Sequence, residues 1–315
     1  MSPHYAGHKS VIERCLHTRS GHNLATTHYI EGWPFGRQAL IDRAVIMNPV
    51  CTTQESGGIV ATKIMVTGGA GFIGSHVVDM LINAGNQVLV VDSLWEHGGG
   101  RLENVNPKAT FFQLDVTTPE FAELVHAERP QVISHHAAQH SVKISTEKPD
   151  YDAKVNILGL INVLRAAKDA GTRKVIFASS GAIFGTPDDL PINEQTPQRP
   201  ESPYGITKMT SEHYLRYWRV ANGLQYTALR YGNVYGPRQD PNGEAGVIAI
   251  FAKRILEREP VRIDWDGEQT KDYVFVQDVA RATLLSLSKG DGESICIASG
   301  EPISVNQIYR QLTEL

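Results

Sequence analysis

The chain has 315 residues, 41% of them apolar and 20% charged, with a formal charge of −4 at pH 7. That length is enough for about two domains and a sizeable core. The charge offers no field to attract nucleic acid or an anionic membrane, and no apolar run approaches the ~20 residues of a membrane-spanning helix.

Residues 1–62 are expected to form a poorly ordered N-terminal extension, with one short helix near 36–47 around Ala39, Leu40, Ile41, Val45 and Ile46. His4, His8, His17, His22 and His28 lie there, but they lack the i,i+4 pairs plus carboxylate of a metal centre. A solvated tail is the simpler reading, and no metal site is expected. Cys15, Cys51 and Cys296 have no ligand spacing and read as free thiols of a reducing compartment. The polar N-terminus lacks the apolar stretch of a signal peptide, so a cytoplasmic location is expected.

From residue 63 strands and helices alternate. KIMVT (63–67) is a short apolar strand, followed by helical periodicity over 72–84 at Ile73, Val77, Met80 and Leu81, with a stop at Gly85. Then come QVLVVD (87–92), TFFQLD (110–115), helix 119–128, QVIS (131–134), helix 149–170, KVIFAS (174–179), helix 203–222 and YTALR (226–230). Short apolar runs separated by helices predict parallel strands with right-handed crossovers, an α/β doubly wound sheet. After 236 the rhythm loosens into a helix near 246–258, strands at VRID (261–264) and DYVFV (272–276), helix 277–289, strand SICIA (294–298) and a partial helix 304–314.

TGGAGFIG (67–74) joins the first strand to the first helix. Gly68 can turn the chain sharply, Gly71 lets backbone approach a pyrophosphate, and Gly74 lets the helix pack closely on the sheet. The helix N-terminus offers free N–H groups to phosphate. Gly69, Gly71 and Gly74 also satisfy G-x-G-x-x-G, so the loop alone does not choose between spacings; a bare βα turn is the competing reading. Asp92 ends the second strand, where a carboxylate accepts hydrogen bonds from ribose hydroxyls and repels a 2′-phosphate, favouring NAD over NADP.

In ESPYGITK (201–208), Ser202 suits an N-cap and Pro203 the first helical position, which puts Tyr204 and Lys208 four apart on one helix face. A neighbouring ammonium and a positive nicotinamide ring favour phenolate, so the Tyr204 pKa, ~10 when unperturbed, is expected to fall towards neutrality. Such a phenol can take a proton from a sugar hydroxyl. Ser180, at the end of KVIFASS, can donate to the same oxygen, with Ser179 the alternative, a hydroxyl that satisfies backbone. An ordinary surface Tyr/Lys pair is the bland reading.

With LDVT (114–117), HHAAQHSV (135–142), VN (155–156), SSGAIFG, RYGNVYGPRQDP (230–241), GEAGVIAIF (243–251) and DGEQTKDYVFVQDVA (266–280), these motifs make residues 63–315 resemble the extended short-chain dehydrogenase/reductase family and, within it, the nucleotide-sugar epimerases, UDP-glucose 4-epimerases above all. The resemblance implies a Rossmann-type NAD-binding domain over 63–236 and a smaller substrate domain over 237–315, with 272–298 returning strands to the main sheet. It implies that Gly68, Gly71, Phe72, Ile73 and Gly74 line the pyrophosphate, Asp92 holds the adenosine ribose, and Asp115 and Val116 flank the adenine. Ala137, Ala138, Asn156 and Tyr231 would lie along the nicotinamide half. Tyr204 would be the base, Lys208 its partner and nicotinamide-ribose ligand, and Ser180 the relay. Asn233, Gly246, Val247, Ile263 and Lys271 would reach the UDP-hexose. The implied reaction is transient oxidation at C4 of UDP-glucose or UDP-galactose, rotation of the keto sugar, and reduction from the other face, in a homodimer joined through helices 149–170 and 203–222.

Two departures stand out. Lys271 occupies a place where relatives carry an Arg that forks onto the diphosphate, so charge is kept and bidentate geometry lost. Relatives also continue beyond helix 304–314 with a segment bearing a second Arg, so an incomplete substrate domain is expected, and the leader reads either as vestigial sequence or as a cover for the bared surface. A 4,6-dehydratase needs an acid and base after the strand-end Ser; Gly181 and Ala182 stand there instead. A UDP-glucuronate 4-epimerase and a catalytically impaired NAD-binding protein remain as alternatives.

Overall fold

A computed structural model describes residues 61–96, 98–242 and 246–314. The expected extension, with its short helix, its histidines, Cys15 and Cys51, lies outside the described residues apart from Ala61 and Thr62.

Strands β1 (Lys63–Thr67), β2 (Gln87–Asp92), β3 (Thr110–Gln113), β4 (Val132–His135), β5 (Lys174–Ser180) and β6 (Gln225–Tyr231) form the main sheet, joined at its edge by β9 (Glu293–Ile297). The order is β3-β2-β1-β4-β5-β6-β9, and every pairing is parallel. The chain runs outward from β1 to β3, then returns to lay β4 on the other side of β1. A crevice therefore opens at the carboxyl ends of β1 and β4, where the winding reverses.

Alternation along the strands feeds two cores. Met65, Leu89, Ile133 and Phe177 pack beneath α2 (Pro119–Glu128), α5 (Gly159–Ala170) and α6 (Pro203–Asn222). Ile64, Val66, Val88 and Ile176 pack beneath α1 (Phe72–Asn83) and α8 (Val276–Leu285). Because both faces are covered, the strands read as continuous apolar runs rather than as alternating ones.

Three differences from the sequence reading have physical causes. The helix expected over 149–170 is α4 (Pro149–Ala153) and α5 joined by a π turn, Lys154–Leu158. No periodicity announces that extra residue, yet it turns Asn156 inward, 3% exposed. The strand expected at VRID joins no ladder among the described residues: β8 (Thr270–Phe275) already has β7 (Asn233–Tyr235) on one side and β10 (Pro302–Ser304) on the other. Val261 and Ile263 instead pack on a third core of Tyr235, Phe251, Phe275, Ile308 and Leu312, beneath α7 (Val247–Leu256) and α9 (Val305–Thr313). Of the segment 272–298, only β9 returns to the main sheet, while β8 belongs to the small sheet β10-β8-β7. Helix α3 (Val142–Glu147) and the three-residue strands β7 and β10 are too short to show a period in sequence.

A buried ion pair fastens α6 to the sheet. Arg230 on β6 meets Glu212 on α6 at 2.7 Å, the side chains 6% and 7% exposed, and the Ser179 hydroxyl donates to the same carboxylate at 2.6 Å. Removing one partner strands the other charge. Arg230→Met is expected to cost about 3–5 kcal/mol in denaturant unfolding; a loss below about 1 kcal/mol, the range of exposed pairs, would show that Glu212 does not depend on it.

Candidate active site

The crevice is lined first by the glycine loop. Gly68 has φ +69°, and a Cβ there would stand 2.6 Å from the Ala137 nitrogen, so the turn out of β1 and its contact with the end of β4 both need glycine. A Cβ on Gly74 would collide with the Gly68 carbonyl oxygen, and α1 packs on the loop only without it. Gly71 differs: its Cβ would meet only the Gly68 oxygen at 3.2 Å, so the fold makes a far weaker demand there. It is also the N-cap of α1 and supplies no side-chain cap, which leaves the N–H groups of Phe72, Ile73 and Gly74 pointing into the crevice without intrahelical partners. Uncapped donors at a helix N-terminus, behind a residue kept bare, fit a dinucleotide pyrophosphate.

Asp92, 8% exposed, accepts from the Ala70 N–H at 3.0 Å and the Leu94 N–H at 2.9 Å. Burial raises its pKa, and the two backbone bonds oppose that shift. The carboxylate therefore ties the glycine loop to the segment after β2, a structural task the sequence did not show. Asp115 is exposed and accepts from the Thr117 N–H at 2.8 Å, whereas the Val116 side chain is buried and its carbonyl accepts from Asn162 at 2.8 Å.

Helix α6 begins with the Ser202 hydroxyl accepting from the Gly205 N–H at 3.1 Å and Pro203 in its first turn. Gly205 lets this turn approach the chain after β5: a Cβ would come 2.5 Å from the Ala182 carbonyl oxygen. The approach brings the Tyr204 phenol beside Ser180, whose oxygen also caps the turn Gly181–Phe184 by accepting from the Ala182 N–H at 3.2 Å. Lys208 is 3% exposed, donates to the Ala178 carbonyl at 2.7 Å, and lies 4.8 Å from the Phe177 ring centroid and 5.7 Å from that of Tyr204. Ser179, the alternative to Ser180, faces the opposite way and serves Glu212.

The electrostatics correct one expectation. Burial pushes the Tyr204 phenol up to about 12; the Ser180 hydrogen bond opposes this, and Asp152 adds to it. Burial lowers Lys208 to about 8, with Asp152 opposing. A phenol poised near neutrality is thus not a property of these side chains alone, because desolvation outweighs the hydrogen bond.

Asn156 does not present a free amide to the crevice. Its oxygen accepts from the Gln139 N–H at 2.9 Å, and its nitrogen faces the Gln139 carbonyl at 2.9 Å, Asp152 at 3.0 Å and Thr207 at 3.2 Å. Tyr231 is likewise turned inward. Its ring lies in the core beside α1 and α8, stacked on His136 at 6.5 Å, because the last residue of β6 points to that face. Both side chains are buried, whereas Ala137 and Ala138, expected along the same nicotinamide half, stand half-exposed after β4. Sequence reasoning missed Asp152, Gln139 and Thr207, which join Asn156 in one buried network, and His135 and His136, both held neutral by burial with pKa values near 3.

Across the crevice, Asn233 is exposed and donates to the Asp272 carbonyl at 2.9 Å, and exposed Lys271 sits on β8. Gly246 is the N-cap of α7 with no side-chain cap, so Val247 opens a second helix with free N–H groups. Ile263 packs on the third core. Among the described residues no cluster of His, Cys, Asp or Glu could hold a metal, and no helix is long and apolar enough to cross a membrane.

Residues 64–298 match the model of the NAD dependent epimerase/dehydratase family. A UDP-glucose 4-epimerase of Mycolicibacterium smegmatis is 40% identical over 254 residues, 78% of this chain and 80% of that one. The crystal structure of UDP-glucose 4-epimerase with UDP-glucose from Thermotoga maritima is 46% identical with a TM-score of 0.76, over 80% of this chain and 82% of that one. The Thermus thermophilus UDP-glucose 4-epimerase in complex with NAD is 42% identical with a TM-score of 0.75, over 80% and 83%. The chain belongs to the NAD dependent epimerase/dehydratase family, the extended short-chain dehydrogenase/reductases. Within that family it is an NAD-dependent nucleotide-sugar 4-epimerase, an isomerase.

The contrast between two glycines is testable. Gly74→Ala is expected to lower the melting temperature sharply, since its Cβ meets backbone. Gly71→Ala is expected to leave the melting temperature of the NAD-free protein nearly unchanged while weakening NAD binding. Equal losses of stability in the two variants would remove the distinction.

Proposed function

We propose that this chain interconverts UDP-glucose and UDP-galactose, inverting C4 of the hexose. The observation that carries the reading is the meeting of Tyr204, Ser180 and Lys208 at the carboxyl end of β5, beside a bare glycine loop. Bound NAD supplies the hydride acceptor for C4 and returns what it accepted. The chain's own residues do the rest. Tyr204 accepts the proton of O4 as the sugar is oxidised and gives it back on reduction. Ser180 orients that oxygen, and Lys208 keeps a positive charge against the phenol. The N–H groups of Phe72, Ile73 and Gly74 would hold the pyrophosphate and Asp92 the adenosine ribose. Asp115 and Val116 would flank the adenine, and Ala137 and Ala138 the nicotinamide.

On the substrate side, Asn233, Lys271, Ile263 and the start of α7 at Gly246 and Val247 would hold the UDP portion, with Lys271 as a point charge on the diphosphate. Gly181 and Ala182 after Ser180 can transfer no proton, which favours epimerisation over dehydration. Leu158, Ile206, Tyr217 and Val220 are exposed on and beside α6, an apolar surface that supports a homodimer joined there.

Three measurements test the reading. UDP-glucose, UDP-galactose, their N-acetyl forms and UDP-glucuronate are offered in parallel and the sugar products analysed; turnover of the uronate alone would replace the proposed substrate. Tyr204→Phe is expected to lower kcat by ~10²-fold or more while NAD stays bound, as loss of a general base requires; near-full activity would mean another group is the base. Asp92→Ala is expected to improve NADP binding relative to NAD, and an unchanged ratio would take Asp92 off the ribose.

A further inference from the structure

Asp152 is a wholly buried carboxylate, 0% exposed, and among the described residues it forms no ion pair. Its Oδ1 accepts from Gln139 at 2.8 Å and Asn156 at 3.0 Å, and its Oδ2 accepts from the Thr207 hydroxyl at 2.8 Å. Oδ1 thus receives two amide N–H bonds and Oδ2 faces a hydroxyl, an arrangement that favours an ionised carboxylate. Thr207 stands on α6 immediately before Lys208 and three residues after Tyr204, and its hydroxyl also lies 3.0 Å from the Tyr204 carbonyl oxygen. The network therefore reaches the helix that bears the reacting groups from α4, from the π turn and from the loop after β4.

Neutral donors can hold a charge but cannot cancel it, and a charge enclosed in protein is poorly screened by salt. The other titratable groups on the packed elements do not replace it. From the end of β4, His135 and His136 are neutral, and His140 is exposed. From α3 and its flank, Lys143, Glu147 and Lys148 are exposed, as are Asp150 on α4 and Lys154 on the π turn; Tyr151 on α4 is half-buried. From α6, Glu212 is neutralised by Arg230. Among the described residues, that leaves Lys208 and Tyr204 as the groups on which the Asp152 charge acts.

We propose that Asp152 is a positioning residue whose negative charge sets the pH range over which Tyr204 and Lys208 hold the protonation states that catalysis needs. The charge keeps Lys208 an ammonium and makes the Tyr204 phenol a stronger proton acceptor. Asp152 touches no reacting atom and acts only through that couple. The inference rests on the proposed roles of Tyr204 and Lys208 and adds a control over both.

Asp152→Asn removes the charge and can keep the bonds. Its amide oxygen can accept from Gln139 and Asn156, and its NH₂ can donate to Thr207, whose own hydrogen then turns to the Tyr204 carbonyl. The kcat–pH profile of the holoenzyme with UDP-galactose is expected to move to lower pH on both limbs by about one unit, the scale of one nearby buried charge. The direction follows from the signs, since losing a negative neighbour eases ionisation of the phenol and loss of the ammonium proton alike. Tyrosinate absorbance after rapid pH jumps, taken as the difference from the matching Tyr204→Phe protein, is expected to show Tyr204 titrating lower in Asp152→Asn.

A fall in kcat with both limbs unmoved, or an unmoved Tyr204 titration, would overturn the proposal. Asp152→Ser is the second neutral variant; if neither folds while Asp152→Glu does, the role is structural and the proposal falls. Absence of UDP-galactose turnover in the wild type would count against the proposed substrate, and the absorbance titration would still decide the role of Asp152.

Discussion

Lys208 carries its ammonium to the carboxyl end of a parallel sheet, 3% exposed, and among the described residues meets a single hydrogen-bond acceptor, the Ala178 carbonyl at 2.7 Å. A cation so placed loses most of its hydration, and burial lowers its pKa to about 8. The rings of Phe177 and Tyr204 and the field of Asp152 offset part of that loss. The arrangement survives only if α6 cannot drift. The Glu212–Arg230 pair fixes its middle to the sheet, Thr207 fastens its first turns to Asp152, and Gly205 lets its N-terminus rest on the Ala182 carbonyl.

This constraint explains why α6 is polar where it packs against the sheet and the π turn. Ser211, Glu212, Lys208 and Thr207 are all buried; an apolar residue in place of Glu212 would leave Arg230 unpaired, and one in place of Thr207 would take a partner from Asp152. The same economy appears at Asp92, which would serve a bound ribose but already holds two backbone N–H groups, of Ala70 and Leu94. Across the crevice the Asp272 carboxylate gathers Ser299 and Gly300, while its carbonyl accepts from Asn233. Side chains that look dedicated to ligands in the sequence are, in the fold, part of the frame that shapes the cleft.

The tyrosine shows how far chemistry depends on context. Four-residue spacing puts Tyr204 and Lys208 on one face of a helix, and the expectation of an easily ionised phenol rested on that ammonium together with a positive nicotinamide ring. In the folded chain burial dominates, and the phenol stands near 12. The enclosed carboxylate whose field reaches it is Asp152, invisible in the sequence because its influence comes through the fold and not through any local pattern.

What the sequence determined by itself is what short-range rules encode. Apolar runs of strand length between helices, Gly68 and Gly74 at a strand-to-helix turn, and the Ser202–Pro203 start before Tyr204 each depend on a few neighbouring residues, and the doubly wound sheet with its glycine loop was legible from them. The tertiary structure alone decided the π turn that buries Asn156, the inward turn of Tyr231, the packing of Val261 and Ile263 on the third core, and the network around Asp152. Those outcomes turn on which edges are already paired and which polar groups meet inside the protein. Segments far apart in sequence settle both, and no local period records them.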